Sequence, residues 1–298
     1  MQNFVSNLFK GILIGIAFVI PGLSGGTIAL ILMVYEKLIT ELAKINFSLI
    51  KKIILLDFKN LNKKLSFSFL IPIGLGGIIG VVLFAKILEN LDLLGEFKPY
   101  TLSYFFGLVL ASVIYIINMV SCWKKIHTIL FLIGLTFAIY IAYLPYFEDG
   151  NNNLLYIFFC GFIGVFGMII PGLSGSHLLW ILGNYTLIVK DSVNNFLHDT
   201  EYTVYLLVFF SGIIFGIVSL SKIIKWIFQK HRNKTLATIA GFVFGSLIFL
   251  WPITNNGELS IIQNIEMPDF NIKSLKYLLF IFLGFLTIDF FNAYNKKI

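Results

Sequence analysis

Two short stretches carry the residue types that could hold an anion: PGLSGGT from Pro21 to Thr27, and PGLSGSH from Pro171 to His177. Proline removes a backbone donor and blocks the preceding turn, and glycine frees the backbone, so each stretch should end one helix and start another. The first N–H groups of a restarted helix lack intrahelical partners and sit at the positive end of its dipole. Gly22, Gly25 and Gly26, with Gly172 and Gly175, allow close approach of the backbone to a ligand. Ser24, Thr27, Ser174 and Ser176 add hydroxyl donors, as at phosphate-binding helix starts. His177, matching Thr27, adds a ring that can hydrogen-bond an anion or take a proton near neutral pH. One such stretch alone would read as a kinked transmembrane helix. A second copy at a matching place argues for a binding site.

Other residues stand in reach of that chemistry. Tyr35 and Tyr185 each follow the motif serine by eleven positions, close to three helical turns, and should share its face. Lys86 and Lys222 occupy equivalent places in the two halves and either meet the anion or snorkel to the interface. Glu36 and Asp289 are acids in apolar surroundings, candidates for coupling to a proton or cation, with an interfacial position as the plainer account. Cys122 and Cys160 have no metal or redox spacing, and no cofactor motif is present.

The elements that must position these residues are membrane helices. The chain has 298 residues, 58 % hydrophobic and 12 % charged, with a mean hydropathy of +0.91, far from the soluble average of about 25 % charged. The net charge of +7 is explained by cytoplasmic loops before nucleic acid need be invoked. Lys10 and the apolar run after it superficially resemble a signal peptide, but the duplicated motif argues that this segment is retained.

The pattern predicts a re-entrant hairpin over 4–42, whose limbs of about 17 residues are too short to span. A basic amphipathic segment over 45–66 follows, lying on the anionic leaflet, and then spans at 67–88, 101–121 and 128–146. The second half repeats the plan: a hairpin over 154–189 and spans at 203–224, 236–252 and 274–294. Pro171 lies 150 positions after Pro21; GGIIG from Gly76 matches SGIIFG from Ser211; Gly107 and Ser112 match Gly241 and Ser246; FLIGLTF from Phe131 matches IFLGFLT from Ile281. If each motif region enters and leaves on one side, every basic loop lies inside, the acidic loops outside, and both termini are cytoplasmic. Three full spans per half then invert the halves, 1–149 and 150–298. The expected fold is an all-α polytopic membrane protein with an inverted-topology repeat, each half a broken-helix hairpin plus three transmembrane helices. This is a transporter plan, with binding near the midplane where the breaks meet.

Two enzyme readings fail on their partners. GLSG matches the GxSG of rhomboid proteases, but a nucleophile needs a base within reach, and His127, His198 and His231 sit in or beside loops. GSH faintly echoes a lipid-phosphatase box, but that chemistry wants several arginines and the chain has Arg232 alone.

PGLSGGTIALILMVYE from Pro21, with the second PGLSGS, resembles the bacterial and archaeal polyprenyl-phosphate translocase family of the PopT type over essentially the whole chain. Family copies commonly carry Val or Ile where Leu23 and Leu173 stand. The resemblance implies a plasma-membrane flippase that returns undecaprenyl phosphate to the cytoplasmic leaflet for cell-envelope synthesis. Its partners would be the carrier lipid and the surrounding membrane, and neither a nucleic acid nor a cofactor. Two other readings stay open: an ion-coupled carrier of another small or lipid anion, and a non-transporting membrane assembly protein. Oligomeric state is not legible.

Overall fold

The computed structural model describes residues 2–19, 23–46, 49, 64–90, 96–147, 149–253 and 272–295. Gly22, most of the expected basic segment at 45–66, and the acidic loop around Asp92 lie outside the described residues. The described part is helical: α1 Gln2–Val19, α2 Gly25–Ile31, α3 Tyr35–Leu42, α4 Phe67–Asn90, α5 Lys98–Asn118, α6 Lys125–Tyr143, α7 Leu154–Ile169, α8 Gly175–Ile181, α9 Thr200–Ser246 and α10 Ile272–Asn295. A π-helix, Thr186–Ser192, follows α8. Among the described residues, α4, α5, α6 and α9 are long and apolar enough to cross a bilayer, while α1 and α7 are shorter apolar helices. The chain is an all-α polytopic membrane protein.

Glycines set how these helices pack, because lipid gives helices no hydrophobic reason to associate and close backbone approach must supply the contact. A Cβ on Gly11 would collide with the Ile73 carbonyl, one on Gly15 with that of Gly77, one on Gly76 with that of Leu8 and one on Gly80 with that of Ile12. The numbers climb together on both helices, so α1 and α4 run parallel. In the second half Gly161 meets Phe209, Gly212 meets Phe158 and Gly216 meets Phe162, so α7 and the first limb of α9 are parallel too. Two consecutive apolar helices can pack in parallel only if the chain between them returns to its starting side.

Further parallel pairs join the halves. On α5 and α10, Tyr100 packs on Tyr277 at 5.3 Å and, further along both helices, Gly107 abuts Ile281 and Gly284 abuts Tyr104, and the Tyr104 and Thr287 hydroxyls share a 3.0 Å hydrogen bond. On α6 and the second limb of α9, Gly241 abuts Phe131, Gly134 abuts Thr238 and Gly245 abuts Leu135. These contacts repeat residue for residue: Leu8, Gly11 and Ile12 stand for Phe158, Gly161 and Phe162, Tyr104 and Gly107 for Thr238 and Gly241, and Phe131 and Gly134 for Ile281 and Gly284. Ser112 and Ser246, also equivalent, are both buried and bond carbonyls of their own helices, Leu108 and Val243. One apolar core, with Ile14, Ala17, Ile28 and Val109 from one half and Val165, Ile169, Leu236 and Val243 from the other, ties the halves together.

Two departures from the sequence reading stand out. The limb expected to run unbroken from the first break to 42 is two helices, because Met33 adopts φ 56° between α2 and α3. Its counterpart Gly183, at φ 74°, does the same after α8, where glycine makes that conformation free of steric cost. The spans expected at 203–224 and 236–252 fall in one helical run, α9, whose two limbs meet at His231 (φ −138°, ψ 42°). The basic stretch from Lys225 to Lys234 is therefore helical except at this one residue, where a loop was expected.

Candidate anion site at the paired breaks

Both breaks restart their helices in the same way. Ser24 (φ −105°, ψ 131°) caps α2 and Ser174 (φ −100°, ψ 128°) stands at the same place before α8, each extended and each followed by a seven-residue helix. The returning turns match as well: Val34 N–H donates to the Ala29 carbonyl at 3.0 Å, and Asn184 N–H to the Leu179 carbonyl at 3.0 Å. Gly172 has φ +88°, and its Cα faces Phe242 and Val243 so closely that a side chain there would press on both.

The breaks touch each other. Ser24 Oγ donates to the Ile170 carbonyl at 3.4 Å and accepts from Gly26 N–H at 3.2 Å. A Cβ on Gly26 would sit 3.3 Å from both the Ile169 carbonyl and the Pro171 nitrogen. Tyr35, buried, donates its hydroxyl to the Ile169 carbonyl at 2.7 Å. The first turn of α2 and the start of α3 thus lean on the backbone where α7 ends.

The polar groups around this junction are not all satisfied. Thr27 is 1 % exposed, and its Oγ1 has no hydrogen-bond partner among the described residues. His177, its counterpart, shares a 3.2 Å bond between Nδ1 and the Tyr146 hydroxyl and packs edge-on to Phe249. Its buried Nε2 has no hydrogen-bond partner among the described residues. Leaving a buried polar atom unmatched costs about 1–3 kcal/mol, and a ligand with acceptor oxygens would supply the missing partner. The two motifs differ in access. Ser24 and Thr27 are sealed, whereas Ser176 is exposed, Ser174, Gly175 and His177 are half-buried, and the Ser174 and Ser176 hydroxyls bond each other at 2.8 Å.

The remaining candidates are placed elsewhere. Tyr185 is half-buried and stacks on Trp180 at 4.4 Å. Lys86 and Lys222 are exposed on α4 and α9, and Asp289 is exposed on α10. Glu36 Oε1 accepts from Arg232 Nε at 2.9 Å, and both side chains are about half exposed. That ion pair ties α3 to the second limb of α9, and sequence spacing gave no signal of it. The Tyr146 and Phe249 rings that pack on His177 also lay beyond reach of the sequence, because they come from segments remote from α8.

A cavity of about 370 Å³ lined by Asp149, Asn152, Thr186, Asp191, Glu201, Tyr202 and Tyr205 lies apart from the break junction. Its carboxylates would repel a phosphate. No metal-binding cluster of His, Cys, Asp or Glu occurs among the described residues. Neither motif serine bonds a histidine: the partners of Ser24 are Gly26 and Ile170, and that of Ser174 is Ser176.

Comparison with known proteins gives the family. The profile of a family described as undecaprenyl phosphate translocase-like matches residues 14–266. The chain belongs to that family. Relatives include a polyprenyl-phosphate transporter of Vibrio cholerae serotype O1, 33 % identical over 254 residues, which cover 84 % of this chain and 79 % of the relative. A second, from Staphylococcus aureus and also named polyprenyl-phosphate transporter, is 30 % identical over 272 residues, covering 85 % of this chain and 88 % of the relative. No solved structure matches. Membership in the translocase-like family groups the chain with transporters rather than with enzymes.

Proposed function

We propose that this protein carries polyprenyl phosphate, with undecaprenyl phosphate as the substrate, from the outer to the cytoplasmic leaflet of the plasma membrane for reuse in cell-envelope synthesis. The observation that carries the reading is the meeting of the two breaks, with unsatisfied buried polar atoms on the equivalent residues Thr27 and His177. The names of the two relatives supply the substrate class.

A phosphate monoester carries about −1.5 to −2 charges at neutral pH and cannot enter hydrocarbon unaided. In this mechanism the head group exchanges its water for the hydroxyls of Ser24, Thr27, Ser174 and Ser176, the His177 ring and the backbone of Gly22, Gly25, Gly26, Gly172 and Gly175, while the polyprenyl tail stays in lipid. The halves 1–149 and 150–298 rock against each other, exposing the junction to one leaflet and then the other. Inverted orientation of the halves is supported by the parallel pairing of α5 with α10 and of α6 with the second limb of α9. Direct repeats with three crossings each would make those pairs antiparallel. Sealing of the first motif and exposure of the second favour a conformation open toward the second hairpin. With both termini and the basic segments inside, that opening faces outward.

Inward movement of the anion against an interior-negative potential costs about 2.3 kcal/mol per charge per 100 mV. The lipid gradient or a coupled proton or cation must offset it. His177 is the favoured coupling group, since Glu36 is already bonded to Arg232 and Asp289 is exposed on α10. The test is reconstitution: protein in liposomes should move labelled polyprenyl phosphate across the bilayer, and a Ser24→Leu, Ser174→Leu double variant should not. Wild-type protein that moves no labelled lipid and binds it no better than the double variant overturns the proposal.

A further inference from the structure

Lys10 places a cation inside the first hairpin, where the second half has the fully buried Cys160. It lies on the face of α1 that carries Ile14 and Ala17, both buried, and away from Phe4, Val5 and Phe9, which are exposed. A snorkelling lysine starts from a lipid-facing position near a helix end and reaches for interfacial water; Lys10 points inward instead. Its ammonium donates to the Leu32 carbonyl at 3.3 Å, a long bond for a group with three donors. Lys37, on α3, is near enough to repel it, with Nζ 4.4 Å from the centre of the Phe69 ring. The ion pairs among the described residues are Lys44 with Glu41 and Arg232 with Glu36, and neither neutralises these two lysines. Among the described residues, no carboxylate is paired with either lysine.

We infer that Lys10 and Lys37 form a second subsite for a phosphate monoester, at the mouth of the first hairpin and about 14 Å along α1 from its end at Val19. The subsite rests on the transporter reading above and adds a stage to it: the head group leaving the breaks is received by two ammonium groups before it reaches the leaflet. Because the second half has Cys160 in place of Lys10, this stage exists at one end of the path only. The opposite end presents Asp149, Asp191 and Glu201 around its cavity, which oppose an anion there.

The test uses the full chain in nanodiscs with farnesyl phosphate as the probe, read by tryptophan fluorescence, and labelled polyprenyl phosphate in liposomes for transport. Lys10→Gln should weaken farnesyl phosphate binding by roughly tenfold, since charge-assisted bonds are lost, and slow transport, while Lys10→Arg stays within about threefold of wild type by keeping the charge. In a competition arm, inorganic phosphate should displace the probe more weakly from Lys10→Gln than from wild type. If Lys10→Gln weakens farnesyl phosphate binding while inorganic phosphate displaces none of the probe from wild type, the subsite takes the lipid-linked form. Unchanged affinity in a monodisperse Lys10→Gln, or equal losses in Lys10→Gln and Lys10→Arg, overturns the subsite. Should Lys10→Gln aggregate, Lys37→Gln, whose side chain is exposed, carries the same test with the same criterion. Wild-type protein that neither binds the probe nor moves the lipid defeats the transporter reading; wild type that does both beside an unaltered Lys10→Gln defeats the subsite alone.

Discussion

The Tyr35 hydroxyl donates to the Ile169 carbonyl over 2.7 Å, so the start of α3 is fastened to the last residue of α7 across 134 positions of sequence. That carbonyl is at the end of a helix and has no successor N–H to accept from. Tyr35→Phe leaves it unpaired in a buried place, and the loss should be about 1–3 kcal/mol. Thermal unfolding in detergent should show a clear fall in midpoint. Tyr185→Phe, whose ring stacks on Trp180, should leave the midpoint nearly unchanged.

Thr27→Val separates stability from binding. Among the described residues the buried Thr27 hydroxyl has no partner, so an isosteric apolar side chain should be neutral or stabilising by up to about 1 kcal/mol in the ligand-free protein. The same variant should bind farnesyl phosphate more weakly. A variant that loses stability and keeps binding would assign the hydroxyl to the fold instead.

Gly284→Ala tests the pairing of α5 with α10. The added methyl would meet the Tyr104 carbonyl, and backbone cannot yield as a side-chain tip can, so the helices must separate. Gly74→Ala, with nothing within 4 Å of the new atom, is the control. Size-exclusion profiles should show aggregation or loss of protein for the first and an unchanged peak for the second.

Glu36→Gln removes an exposed ion pair with Arg232. Such pairs contribute about 0–1 kcal/mol, so transport should stay above half of wild type and its pH profile should not move. A shifted pH profile would return Glu36 to the list of coupling groups.

Glu41 gives the expected acid sensitivity. Burial alone would raise its carboxyl, but the Lys44 ammonium at 2.5 Å and the Ser66 N–H and hydroxyl at 3.0 and 3.1 Å outweigh it and hold the carboxyl below its usual range. A depressed folded value means that the stabilisation is present above the unfolded value, about 4.3, and is lost as pH falls through the folded one. Unfolding midpoints should drop on acidification below about pH 4.3, and Glu41→Gln should flatten that part of the curve.

Part of the repeat was legible in the sequence, where Gly107 matches Gly241; the structure adds that Gly11 and Gly161, and Gly76 and Gly212, mark the same contacts in each half. The positive-φ turn after α8 has its glycine at 183, but the same turn after α2 is built on Met33, and no composition rule reveals a methionine forced into that region. The run through His231 was read as a loop because Lys225, Lys230, Arg232 and Lys234 are charged, yet those side chains are soluble on a helix as readily as on a loop.

By itself the sequence determined that this is a helical membrane protein with two broken helices of one design, since apolar length, proline and glycine act locally and leave their mark where they stand. Which carbonyl Tyr35 would meet, that Glu36 would be held by Arg232, and that Thr27 and His177 would be left without full partners were decided only by tertiary structure. Those relations join residues more than a hundred positions apart or depend on what packing fails to provide, and a bond's absence has no signature along the chain.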